Sequence, residues 1–127
     1  MILNKTEETD LKITLIGAGS ATFSLNMIKD ICLTENLRGS EVCLMDINEE
    51  RLKNAYGLCK RFSKEVGIEL DIYTTTDRIE ALKGASYVIN TALAAHHGRL
   101  KEGWGIATKH GYRFGGSQHI YHDEAFW

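Results

Sequence analysis

The sequence lacks the features that mark nucleic-acid-binding, membrane-spanning and secreted proteins. Its 127 residues carry 15 lysines and arginines against 17 aspartates and glutamates, a formal net charge of −2. No basic run stands out, so nucleic acids and acidic membrane surfaces are not expected partners. No apolar stretch approaches the length of a membrane span, and the polar segment 1–10 is unlike a signal peptide. Proline is absent altogether, and the composition offers no physical reason for it.

Cysteine is scarce, and its pattern argues against a disulfide framework. The three cysteines, Cys32, Cys43 and Cys59, are odd in number and isolated, and each lies within an apolar pattern. Buried, reduced thiols in a cytoplasmic protein are the expected state. The overall composition, 43% hydrophobic and 25% charged, is typical of a globular protein of one domain or of a piece of a larger one.

The segment 12–22 (K-I-T-L-I-G-A-G-S-A-T) predicts a buried strand that ends in a glycine turn and continues as a helix. Such a turn brings backbone N–H groups and a helix N-terminus to one point, which suits a pyrophosphate. Gly17 can take the tight turn, and a Cβ at Gly19 would block the approach of phosphates. The full dinucleotide-binding fingerprint is G-x-G-x-x-G, and Thr22 stands where its third glycine would be. An ordinary glycine turn between a strand and a helix therefore remains an alternative.

Strand and helix patterns alternate along the rest of the chain. Apolar runs predict strands at 13–16, 41–46, 70–73 and 87–89. Each run is followed by apolar residues at the spacing of an amphipathic helix. The first helix is expected to end near Asn36, the second to begin after Asn48 and end at Gly67, and a short third to use Asp77 in a capping box. This order predicts an α/β, Rossmann-like, doubly wound parallel sheet that is incomplete, with about four strands. We expect a flexible leader at 1–11 and one dinucleotide-binding domain at 12–127.

In such sheets a ligand lies across the carboxyl ends of the strands. Three features fall there: the turn 17–20, Asp46, and the pair Asn90 and Thr91. Asp46 is suited to accept hydrogen bonds from the adenosine ribose, and its charge would repel a 2′-phosphate, which favours NAD over NADP. A loop or helix-capping carboxylate is the alternative for Asp46, and a loop amide bonded to backbone is the alternative for Asn90. The predicted cofactor-binding residues are Gly17, Ala18, Gly19, Ser20, Asp46, Asn90 and Thr91.

Four histidines leave two interpretations open. His96 with His97, and His119 with His122, could ligate a metal or could lie in loops or a substrate pocket. The second pair lacks the helix and glutamate of a zincin motif. We therefore assign no metal ligand and no catalytic residue, and no nucleophile–base–acid triad can be assembled.

Four motifs in order resemble the amino-terminal part of glycoside hydrolase family 4: K-I-T-L-I-G-A-G-S-A-T-F-S, L-M-D-I-N-E-E-R-L, Y-V-I-N-T-A and K-H-G-Y-R-F-G-G-S-Q. Members of that family are α-glucosidases, α-galactosidases, glucuronidases and 6-phospho-glycosidases that depend on NAD and a divalent metal, expected to be manganese. The resemblance implies a Rossmann domain that carries NAD at the residues named above, a carbohydrate substrate and a homo-oligomer. It also implies a mechanism in which sugar C3 is oxidised, the C2 proton is removed and the aglycone is eliminated.

The resemblance places the family's metal-binding Cys and His and its catalytic base downstream of residue 127. The chain itself is therefore expected to be inactive. The phospho-glycosidase branch tends to carry an arginine just after the fourth strand, and this chain has N-T-A-L-A-A-H-H-G there. A non-phosphorylated α-glycoside or uronide is accordingly the expected substrate. A malate- or lactate-type NAD-dependent dehydrogenase and a non-catalytic nucleotide-binding remnant remain alternatives, and the segment 111–118 disfavours the dehydrogenase.

Overall fold

A computed structural model describes residues 11–68, 70–92 and 97–112, which belong to two compact units, Met1–Ala92 and Leu93–Trp127. The first unit contains strands β1 (Lys12–Ile16), β2 (Glu41–Met45), β3 (Asp71–Thr75) and β4 (Tyr87–Asn90), helices α1 (Ala21–Leu33), α2 (Glu49–Glu65) and α3 (Arg78–Leu82), and a 3₁₀ turn (Glu35–Leu37). The second unit contains helix α4 (His97–Lys109). Within these residues no helix is long and apolar enough to cross a membrane.

The four strands form one parallel sheet in the order β3-β2-β1-β4. The register pairs Thr14 with Cys43 on one side and with Val88 on the other. The predicted α/β, Rossmann-like sheet of about four parallel strands is confirmed. Because all strands run the same way, the ends of β1, β2 and β4 lie along one edge, where ligands of such sheets bind.

One face of the sheet packs against α1 and α2 and forms the main core. Side chains at alternate strand positions point to this face, because successive residues of a strand point to opposite sides. Its buried members come from the strands, α1 and α2, and include Ile13, Leu15, Val42, Leu44, Ile28 and Leu52. Each such side chain contributes about 1.5–3 kcal/mol when it is fully buried. Cys32 and Cys59 belong to the same core, and all three cysteines are buried and free, as predicted.

The short helix α3 covers part of the opposite face. Ala81 of α3 packs with Cys43 and Met45, and Ile16 and Tyr73 lie at the margin of this cluster. The buried Thr14 hydroxyl donates a hydrogen bond of 2.8 Å to the carbonyl of Ala81, which fastens α3 to the central strand. The sheet therefore has helices on both faces, as the predicted doubly wound arrangement requires.

Helix ends follow the sequence signals in part. Asn48 caps α2 as predicted, since its Oδ1 accepts from the Arg51 N–H at 2.9 Å. Helix α1 ends at Leu33 instead of near Asn36, because Thr34 takes an extended conformation with a φ of −91° and a ψ of 108°. The N–H and the hydroxyl of Thr34 both donate to the Asp30 carbonyl, at 3.0 and 2.7 Å, and a β-branched residue is a poor continuation of a helix.

The expected capping box of α3 forms only in its first half. Asp77 Oδ1 accepts from the Ile79 N–H at 2.8 Å, which is the predicted cap. Glu80 accepts instead from the Thr75 hydroxyl at 2.5 Å, and the Asp77 N–H donates to the same hydroxyl at 3.1 Å. The Thr75 hydroxyl thus bonds to both Asp77 and Glu80, in place of the direct bond from the Asp77 N–H to the Glu80 carboxylate that a full capping box has.

Candidate functional site

The turn after β1 needs glycine at position 17 for two reasons. Gly17 has a φ of +86°, a conformation that favours glycine. A Cβ there would also lie 2.6 Å from the Ala92 nitrogen, which is too close for any side chain. The N–H groups of Gly17 and Ala18 both donate to the Met45 carbonyl at 2.9 Å. The interpretation of Gly17 as the tight-turn residue is confirmed, and the turn is fixed to the end of β2.

Asp46 is hydrogen-bonded directly to the glycine turn. The Gly19 N–H donates to Asp46 Oδ2 at 2.8 Å, and the Asn48 N–H donates to Asp46 Oδ1 at 2.9 Å. A Cβ on Gly19 would lie 2.7 Å from Asp46 Oδ2, so this carboxylate is the nearest neighbour on that side of Gly19. The sequence places both residues at one edge of the sheet but gives no sign of the bond itself.

The two interpretations of Asp46 are compatible with each other. Asp46 is half-buried and acts as a loop carboxylate, because each of its oxygens accepts one backbone N–H. An ionised carboxylate has about four acceptor positions, so about two remain for other donors. Ribose hydroxyl groups are donors of the right kind.

The N-terminus of α1 has unpaired donors beside this carboxylate. Ser20 occupies the N-cap position without a side-chain capping bond, and the first turn carries no acidic residue. The first backbone bond of the helix runs from the Ser24 N–H to the Ser20 carbonyl at 2.9 Å. Among the described residues, three backbone N–H groups find no acceptor: those of Ala21, Thr22 and Phe23. Such groups at the positive end of a helix dipole favour an anion.

The loop after β4 is bonded to the same turn. The Thr91 N–H donates to the Ile16 carbonyl at 2.8 Å, and the Thr91 hydroxyl donates to it at 3.1 Å. Asn90 Oδ1 accepts a hydrogen bond from the Ala92 N–H at 3.1 Å. The side-chain carbonyl is thus bonded to the backbone of the loop, which is the alternative interpretation of Asn90. The structure thus brings the predicted residues together at the ends of β1, β2 and β4.

Neither a reactive thiol nor a metal cluster accompanies this site in the part of the chain that the structure describes. Burial and the neighbouring Cys32 raise the pKa of Cys59 to about 11, so this thiol is not a nucleophile near neutral pH. No group of three or more His, Cys, Asp or Glu among the described residues could hold a metal ion. His96, His119 and His122 lie outside the described residues, and His97 begins α4.

The sequence model of the family 4 glycosyl hydrolases matches residues 12–121. The chain belongs to this family. The resemblance drawn from the four motifs is confirmed, and membership decides against a malate- or lactate-type dehydrogenase. Most of the fourth motif lies outside the described residues, which end at Tyr112.

Similar proteins include two glycosidases from bacteria. An alpha-glucosidase of Erwinia rhapontici is 41% identical over 78 residues, which cover 61% of this chain and 17% of that protein. An alpha-galactosidase of Bacillus subtilis (strain 168) is 40% identical over 79 residues, which cover 62% of this chain and 18% of that protein. The chain thus spans less than a fifth of the length of these curated relatives.

Solved structures of the family share the fold. A 6-phospho-alpha-glucosidase from gut microorganisms, in complex with NAD and Mn²⁺, superposes with a TM-score of 0.67 at 25% identity over 81% of this chain and 24% of that chain. A second structure of a 6-phospho-alpha-glucosidase from gut microorganisms, with NAD and glucose-6-phosphate, gives a TM-score of 0.66 at 26% identity, covering 80% of this chain and 23% of that one.

Proposed function

We propose that this family 4 chain is the NAD-binding part of a glycosidase that cleaves α-glycosides by oxidation at sugar C3, removal of the C2 proton and elimination. One observation carries the cofactor assignment. The Asp46 carboxylate is held by two backbone N–H groups directly beside the unpaired N–H groups of α1. Structures of similar proteins that contain NAD and Mn²⁺ support the same assignment.

Each part of the site has a distinct task in this proposal. The unpaired N–H groups at the start of α1 bind the pyrophosphate, and Asp46 accepts from the ribose hydroxyls. Gly17 and Thr91 fix the turn, while the Asn90 amide N–H groups face the nicotinamide half. When bound, NAD supplies reversible hydride transfer. The divalent metal is proposed to be manganese, and the resemblance assigns its ligands to positions after residue 127.

We propose a non-phosphorylated α-glycoside or uronide as the substrate class. The sequence has no arginine directly after β4, where the phospho-glycosidase branch tends to carry one. The relatives at 40% and 41% identity are an alpha-galactosidase and an alpha-glucosidase, whereas a probable 6-phospho-beta-glucosidase of Bacillus subtilis (strain 168) and a 6-phospho-beta-glucosidase of Escherichia coli (strain K12) are 37% and 34% identical. We propose in addition that the protein is cytoplasmic and forms a homo-oligomer.

Calorimetry with NAD and NADP tests the cofactor assignment. Wild type should bind NAD more tightly than NADP, and Asp46→Ala should weaken NAD binding by about 1–3 kcal/mol, the scale of a lost hydrogen bond to a charged group. Asp30→Ala is the matched control, because Asp30 is an exposed carboxylate on α1 away from the turn. Equal NAD affinity in wild type and Asp46→Ala would contradict the assignment.

A turnover assay tests whether the 127 residues alone have glycosidase activity. We expect no hydrolysis of nitrophenyl glycosides by the 127-residue chain with NAD, Mn²⁺ and a reductant. Proton abstraction beside a C3 ketone builds negative charge that a metal ion must stabilise, and the resemblance assigns the metal ligands to positions after residue 127. Measured turnover would overturn this expectation and make the four histidines candidates for ligands.

A further inference from the structure

The first turns of α2 present charged residues in two directions. Glu49 and Lys53 line a cleft of about 410 Å³ that faces Thr74 and Thr75 at the end of β3. The Arg51 side chain starts on the side of α2 that faces the glycine turn, because a Cβ on Gly19 would lie 3.2 Å from the Arg51 Cβ. The stem of Arg51 therefore lies against the same turn that holds the Asp46 carboxylate.

Arg51 is held by a backbone hydrogen bond, and its guanidinium makes no ion pair with any residue that the structure describes. Its N–H donates to Asn48 Oδ1 at 2.9 Å, which fixes the start of the side chain. The side chain is exposed, and within the described residues its guanidinium forms no ion pair, since the one ion pair there joins Arg61 and Glu65. The guanidinium is also not paired with Asp46, whose two oxygens each accept one backbone N–H.

We propose that Arg51 is a specificity-determining residue of the adenosine end of the site, able to bind a ribose 2′-phosphate that only the Asp46 carboxylate keeps out. The inference rests on the proposed function, because it requires an adenosine ribose at Asp46. A guanidinium binds phosphate through paired N–H donors, whereas a carboxylate at the same place repels it. In this proposal the charge of Asp46 sets the preference for NAD, and without that charge Arg51 can bind the 2′-phosphate of NADP.

The proposal predicts a change of cofactor preference that depends on Arg51. Removing the charge with Asp46→Asn should leave the guanidinium as the nearest charged group to the 2′ position. Affinity for a 2′-phosphorylated nucleotide should then rise, while affinity for NAD falls. Lys53 is the matched control cation on the same helix, because it lines the cleft toward β3.

Binding of adenosine 2′,5′-bisphosphate and 5′-AMP to the full chain, measured by calorimetry, tests this. We expect Asp46→Asn to bind the bisphosphate about tenfold more tightly than wild type does, on the scale of a charge-assisted hydrogen bond. The double variant Asp46→Asn with Arg51→Gln should lose this gain, and Asp46→Asn with Lys53→Gln should keep it. Asp46→Ser, examined with circular dichroism for folding, provides a second way to remove the charge.

The outcomes separate the inference from the proposed function. A wild-type chain that binds neither NAD nor 5′-AMP overturns the proposed function and the inference together. If wild type binds NAD but neither Asp46 variant gains affinity for the bisphosphate, only the inference fails. It fails also if the gain survives removal of Arg51, or if removal of Lys53 abolishes it equally.

Discussion

Gly17 and Gly84 share a left-handed backbone but differ in their surroundings. Gly84 has a φ of +71° and nothing within 4 Å of the position of a Cβ, whereas Gly17 has a φ of +86° and the backbone of Thr91 and Ala92 within 3 Å. We expect Gly84→Ala to cost about 1–2 kcal/mol of unfolding free energy, the price of the backbone conformation alone. Gly17→Ala should cost clearly more, because the loop after β4 must also move. Urea denaturation measures both, and equal costs would contradict the close approach.

Cys59 gives the stability of the first unit a dependence on alkaline pH. Burial first, and then Cys32, raises the pKa of the Cys59 thiol from 9.0 to about 11. Between these values the unfolded chain has lost the proton and the native chain keeps it, so stability falls as pH rises from 9 toward 11. Urea midpoints across this range should fall less steeply for Cys59→Ala than for wild type. Parallel curves for the two proteins would show that Cys59 does not titrate as its burial requires.

Helices α1 and α2 each follow a polar N-cap residue, but only the side chain before α2 makes a capping hydrogen bond. Asn48 accepts the Arg51 N–H at 2.9 Å, whereas the Ser20 side chain makes no capping bond. Asn48→Ala should therefore destabilise the chain by about 0.5–2 kcal/mol, and Ser20→Ala should leave its stability within about 0.5 kcal/mol of wild type. Thermal or urea unfolding of the two variants provides the comparison. A larger cost at Ser20 than at Asn48 would contradict the assignment of the caps.

The sequence predicts the elements of this fold better than their ends. Short continuous apolar runs locate β1, β2 and β4, and alternation locates β3. The runs of β1 and β2 are continuous because these strands are buried on both faces of the parallel sheet. The sequence predicts the end of α1 too late, because residues 34–36 continue a polar helical pattern while Thr34 itself takes an extended conformation. The conformation of one residue at a helix end depends on local geometry, which periodicity does not record.

For the site, the sequence predicts which residues meet but not how they bond. Strand ends and glycines place Gly19 and Asp46 at one edge of the sheet. The bond between them, and the position of Arg51 against Gly19, depend on the path of two loops in space. These distances follow from packing between segments far apart in the chain, so no short pattern encodes them.

At the scale of the whole molecule, β4 leaves apolar surface at an edge of the sheet. In the portion that the structure describes, β4 pairs on one side only, with β1, and Tyr87 and Val88 are 59% and 48% exposed. An apolar edge strand promotes association, so we expect the chain to self-associate as its concentration rises. Val88→Lys should reduce this in sedimentation velocity. Val66→Lys, at a residue that is 43% exposed at the end of α2, is the control and should have little effect.

The central position of β1 also sets the order in which the protein can fold during its synthesis. Of the four strands of this sheet, β1 leaves the ribosome first, yet the acceptor for its buried Thr14 hydroxyl is the Ala81 carbonyl, 67 residues later. Its second neighbour, β4, emerges later still. A nascent chain can pair β1 with β2 early, but closing the longer loops is slow, and the Thr14 hydroxyl has no acceptor until α3 arrives. β1 therefore completes its bonds only when β4, the last of the four strands, has been made.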